Sequence, residues 1–163
     1  MTNKSGDIFA TNSLDHFKNT VTSEIEDLIV CDNIFSWLDN FGNLEVVESC
    51  TYDIPELENE IAKNNLDIPT IESFANFINL FDDFVNQDLK YSKLQTYIDN
   101  ELIKVTWDYF YEYIFWPRFN DKEKFGVWDR PKLEIDTKEL LNKLKDVIKA
   151  FDDNIKQTEK AIC

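Results

Sequence analysis

An all-α, single-domain bundle of about five helices, with at most a small two-stranded β element, is the fold this sequence predicts. Three observations point there. The 163 residues include only 3 Gly and 4 Pro, too few for an all-β chain that must turn every ten residues or so. Apolar side chains recur at three- and four-residue steps over long stretches. Capping pairs stand ahead of several of those stretches. A hydrophobic content of 43% is enough to fill one core in a chain of this length.

In order along the chain, residues 1–12 read as a polar, flexible segment and residues 13–163 as one helical domain. Ser13 caps a helix that Gly42 ends, with Leu14, Phe17, Val21, Ile25, Leu28, Phe35 and Leu38 as its stripe, in one piece or broken near Asp32 and Asn33. The stretch "NLEVVESCTY", residues 43–52, is the best strand candidate, being short and rich in Val and Thr. Asp53 and Glu56 form a D-x-x-E pair ahead of a short acidic helix, "PELENEIAKNN". Pro69 opens the next helix, whose Ile71, Phe74, Phe77, Ile78, Phe81, Phe84 and Val85 make one wide apolar face. Ser92 and Gln95 read as a capping box for a helix that runs on to Trp116 and Pro117. Residues 117–135 read as an irregular connection with room for a short strand near its end. Asp136 and Glu139 then cap a last helix over 137–162, with Leu140, Leu144, Val147, Ile148, Phe151 and Ile155 facing inward.

Residues 105–119, "VTWDYFYEYIFWPRF", hold eight aromatic side chains. As a strand this stretch would alternate Trp107, Tyr109, Tyr111, Tyr113 and Phe115 against a mixed face. The helical reading is preferred, because the run back to Ser92 keeps helical spacing. Aromatics then cover nearly the whole perimeter, which predicts a central element. Its far end, Trp116 with Arg118 and the nearby Trp128, reads as a candidate contact surface, since Trp and Arg are enriched among interface anchors.

Charge is the most informative feature for function. The net charge is -15, and residues 1–90 carry 18 acids against 4 Lys, whereas residues 91–163 carry 14 acids against 13 Lys and Arg. Such a balance excludes direct binding to nucleic acid or to an anionic membrane surface. No apolar run approaches the roughly 20 residues of a membrane span, and the first residues lack a secretory pattern. Cys31, Cys50 and Cys163 show no metal or redox spacing. The expected compartment is therefore cytoplasmic.

Enzymatic chemistry finds little support. His16 is the single histidine, and no phosphate loop, zinc spacing or nucleophile elbow is present. Paired acids at Asp82–Asp83 and Asp152–Asp153 invite a comparison with carboxylate-metal nucleotide hydrolases. Their E-x-x-E and E-x-x-D elements, however, occur here in the reverse order, Glu24-x-x-Asp27 before Glu45-x-x-Glu48. No cofactor and no metal ligand set is expected. The expected function is that of an acidic protein-binding inhibitor of a basic enzyme, an immunity protein that occludes a cognate toxin's active site or nucleic-acid groove. The alternatives are a phage-encoded DNA mimic or an adaptor that uses its aromatic patch. The residues expected to meet a basic protein partner are Glu45, Glu48, Asp53, Glu56, Glu58, Glu60, Asp82, Asp83, Trp116, Arg118 and Trp128.

Overall fold

The computed structural model describes residues 8–10, 21–23, 36, 39–40, 51–87 and 89–157. Two compact units are distinguished: Thr51–Ala150 is one, and Met1–Cys50 with Phe151–Cys163 is the other. The fold is all-α, as expected. The first helix, residues 43–50 of the strand candidate 43–52, His16 and the three cysteines lie outside the described residues, apart from helical positions at 21–23, 36, 39 and 40; Thr51 and Tyr52, the end of that candidate, carry no regular secondary structure.

Within Thr51–Ala150 the first helix, α1, is Ile54–Ala62, and the Asp53 carboxylate accepts from the Glu56 N–H at its start. It ends as the sequence "KNN" dictates. Asn64 takes the left-handed conformation, φ 62°, which Asn tolerates better than most residues. The Asn65 N–H then reaches the Glu60 carbonyl and the Asn64 N–H the Ile61 carbonyl, satisfying groups that the helix end would leave orphaned. The next helix, α2, spans Ile68–Val85, capped by Asp67 with Pro69 in its first turn. All seven apolar residues expected on its inner face are buried.

Beyond α2 the sequence reading needs correcting. Ser92 and Gln95 form no capping box: Leu89–Leu94 is a 3-10 turn, Ser92 is exposed, and the short helix α3, Gln95–Ile98, has no side-chain cap. The long helix starts later. Asn100 is extended, φ -61° and ψ 132°, and its side chain accepts from the N–H groups of Leu102 and Ile103, so α4 is Glu101–Phe110. The quoted aromatic stretch is helical throughout. Its middle, Tyr111–Phe115, widens to a π turn in which the Trp116 N–H donates to the Tyr111 carbonyl. Pro117 follows, inside α5, Trp116–Asn120. A proline has no N–H to donate, and its ring crowds the carbonyl four residues back. The wider turn directly before it relieves that crowding and lets the helix pass the proline.

Residues 117–135 are thus partly helical rather than an irregular connection, because Asp121 caps a further short helix, α6, Lys122–Val127. No strand forms near their end. Residues 129–136 carry no regular secondary structure, and the last helix, α7, begins at Thr137 with Asp136 capping it as expected. It stops at Asp152 rather than near 162, and Ile155 lies in a strand instead of on the helix. Seven α-helices lie wholly among the described residues, more than expected because the predicted long elements are interrupted.

One core cluster is the packing of α2 on α4 and the π turn: Ile71 and Ala75 meet Phe110 and Ile114, ringed by Trp107, Tyr109, Tyr111, Phe115, Phe125 and Leu133. Its polar atoms are satisfied in place. Trp107 Nε1 donates to Asn79 Oδ1 at 2.7 Å, and Asn79 Nδ2 donates to the Tyr111 hydroxyl at 2.9 Å. In the other unit, β1, Ile8–Ala10, pairs in parallel with β2, Ile155–Gln157, in the register Ile8 to Ile155. This is the small two-stranded element, at positions other than those the sequence suggested.

Candidate functional site

The acidic surface is built by the turn between α1 and α2. Glu56 and Glu60 lie one helical turn apart on α1, and Asp53 caps its start. The left-handed Asn64 reverses the chain so that Asn65 faces back. Its amide donates to Glu60 Oε2 at 2.6 Å and to Asp67 Oδ2 at 3.3 Å, bridging two carboxylates from different elements. Asp53, Glu56, Glu60 and Asp67 consequently line one open depression of about 290 Å³, with Leu57, Pro69, Thr70 and Ser73.

Two of these acids, Glu60 and Asp67, are held in the charged form. Hydrogen bonds from Lys63, then Asn65, draw the Glu60 carboxyl below its ordinary value. The Thr70 N–H, with lesser help from the Thr70 hydroxyl and Asn65, does the same for Asp67. The acidic run is not free of lysine in space, because Lys63 Nζ stands 2.6 Å from Glu60 Oε1.

Of the expected binding residues, Asp53, Glu56 and Glu60 are brought together. Glu58, on the same helix, is not among the residues lining the depression. Asp82 and Asp83 belong to the far half of α2, where Asp82 accepts from the Asn86 amide and Asp83 is exposed. Glu45 and Glu48 lie outside the described residues. Asp67 and Asn65 are the residues that sequence reasoning missed. The signal was present in the adjacent asparagines "KNNLD", a helix stop followed directly by a cap, which throws the two acids onto one turn.

The aromatic end divides in two. Trp116 is 50% exposed and Phe119 75%, and Phe119 stacks on Phe115 with ring centroids 6.2 Å apart. Trp128, 37% exposed, lies 6.1 Å from the Tyr113 ring. Arg118 is not a free cation: its guanidinium grips Glu72 of α2 through two bonds, at 3.0 and 2.6 Å. Arg130 covers the Phe125 ring at 4.5 Å. Both arginines of the chain are therefore engaged within it.

Among the described residues no three of His, Cys, Asp and Glu are grouped as metal ligands would be. No described helix is long and apolar enough to cross a membrane. Compared with protein-family models, curated proteins and solved structures, the chain gives no match to any of them.

Proposed function

We propose that this chain is a protein-binding domain for a basic partner, acting as a stoichiometric inhibitor in the manner of an immunity protein. The observation that carries the reading is the depression between α1 and α2, where four carboxylates meet on one open surface and two are kept ionised by fixed donors. Carboxylates arranged in this way offer a basic surface what phosphates would offer it. A net charge of -15 draws such a partner in from a distance, and the local cluster sets its register on docking. Inhibition would follow from bulk, because a domain seated on a basic active site or nucleic-acid groove excludes the substrate.

Immunity genes lie beside those of their toxins, so the product of the adjoining gene is the partner to test. Glu56→Lys should slow association with it several-fold at low ionic strength, with the difference fading as salt shortens the screening length toward roughly 3 Å at 1 M. Glu58→Lys makes the same change of charge on the same helix, outside the depression. An effect of Glu56→Lys no larger than that of Glu58→Lys would remove the depression from the site. The adaptor reading keeps one specific observation in its favour, the exposure of Trp116 and Phe119 side by side. It predicts binding that Trp116→Ala weakens and that salt leaves alone.

A further inference from the structure

The segment from Asp129 to Ile135 is strand-like but has no strand partner among the described residues. It contains neither helix, turn nor bend, and Leu133, Glu134, Ile135 and Asp136 alternate between half-buried and exposed, the two-residue period of a strand. Yet among the described residues no backbone group from 129 to 135 bonds to another backbone group. Of its main-chain groups, only the Pro131 carbonyl has a partner among the described residues, the Tyr109 hydroxyl at 2.7 Å. Main-chain groups of successive residues in an extended chain point to opposite edges. With Pro131 turned toward Tyr109, those of Lys132 and Glu134 belong to the other, open edge.

The segment is nevertheless held in place. Arg130 lies on the Phe125 ring, Leu133 packs on the cluster around Phe110, and Thr137 Oγ1 donates to Asn64 Oδ1 at 2.8 Å just past its end. Fixing such an edge in advance lowers the entropic cost of pairing with it. Beside it runs an open cleft of about 1180 Å³, whose wall includes the half-buried apolar Leu66, Ile68, Leu133 and Ile135. Asp67, Asp129, Glu134 and Asp136 also line the cleft, against Arg130 and Lys132, and Arg130 is already engaged.

We propose that residues 129–135 form an edge that takes up an extended segment of the partner as an added strand, the segment alternating apolar residues with Lys or Arg. The hydrogen-bonding groups call for an extended backbone, the apolar wall for alternate side chains, and the surplus of acids for a basic sequence. A second copy of the chain is the poorer occupant, because it would bring Asp129, Glu134 and Asp136 against their own kind. This inference rests on the basic-partner reading and extends it to a neighbouring cleft, which shares Asn65, Asp67 and Pro69 with the depression between α1 and α2 but not Glu56.

The test uses the intact protein and an acetylated, amidated heptapeptide of alternating Lys and Val. Amide exchange at Lys132 and Glu134, followed by NMR, should slow by about tenfold or more at saturation, the weight of one hydrogen bond or so. Glu134→Pro removes an N–H from the open edge and should weaken binding about tenfold. The same peptide N-methylated at alternate residues should fail against the unaltered protein, a comparison that requires no variant to fold. No slowing of exchange, or equal binding by the N-methylated peptide or by Glu134→Pro, overturns the proposal. Slowing that grows with protein concentration and needs no peptide assigns the edge to a second copy and overturns it too. A matching peptide of Glu and Val that binds equally well overturns the choice of a basic occupant. Because Glu56 does not line this cleft, failure here leaves the charge-reversal result at Glu56 standing on its own.

Discussion

Phe110 and Trp116 belong to one aromatic stretch and answer to different neighbours. Phe110 is 2% exposed, enclosed by Ile71, Ala75 and Ile114 and by rings on either side. Phe110→Ala should therefore cost about 3 to 5 kcal/mol in chemical denaturation, the loss typical of a large aromatic truncated in a core. Trp116, half exposed, has no such enclosure to lose, and Trp116→Ala should leave the melting temperature close to that of the unaltered protein. Arg118 falls between them. Its bidentate pair with Glu72 has good geometry, but both side chains remain about one third exposed, so solvent screening limits Arg118→Ala to roughly 1 kcal/mol or less. Unfolding by Trp116→Ala as severe as that by Phe110→Ala would show that the whole stretch is core and would move the contact surface to the acidic side.

Among the elements, α2 and the start of α7 are legible in the sequence because a start signal and an apolar stripe at helical spacing coincide there, Pro69 for α2 and the Asp136 cap for α7. The break at Asn100 is not, because "YIDNELI" keeps its apolar spacing straight through the cap and a single asparagine must outweigh it. That asparagine accepts from both Leu102 and Ile103, leaving α4 free to take its own direction. Asn100→Ala should cost about 1 kcal/mol in equilibrium denaturation, whereas Asn100→Gly should cost only a few tenths. Equal losses from the two substitutions would mean that the side-chain bonds are not what starts the helix. The π turn escapes sequence reading for a related reason: Pro117 announces an obstacle, and whether the helix ends or widens depends on packing that ties α5 back to α2 through Arg118 and Glu72. The candidate site is legible to the same degree. Asp53, Glu56 and Glu60 follow from the spacing of one helix, while Asp67 joins them only through a left-handed Asn64 that no periodicity reveals.

At the scale of the whole molecule, a net charge of -15 works against compactness, since like charges repel most when the chain is folded. The acids cannot all be treated as equal, however, because a few are fixed by donors that the unfolded chain lacks. Glu60 and Asp67 hold protons less readily in the folded state, through Lys63 for the first and the Thr70 N–H for the second, with Asn65 contributing to both. A carboxylate whose folded pKa is depressed adds stability that is present above its unfolded value, near 4, and that is lost as pH falls through the lower folded value. Asn65→Ala removes the shared donor without altering the charge of the chain, so general repulsion is nearly the same in both proteins and cancels from the comparison. The variant should melt below the unaltered protein at every pH above about 5. As pH falls below about 4 the gap should narrow toward the part that does not titrate, the bond that the Asp67 N–H makes to Asn65 Oδ1 at 3.2 Å. Thermal melts of the two proteins from pH 7 down to about pH 2 read this directly. A gap that stayed constant to the acid end would mean that Asn65 supports the turn by shape alone, and the two carboxylates would then be neighbours by accident of the fold rather than a charged pair that the turn was built to hold.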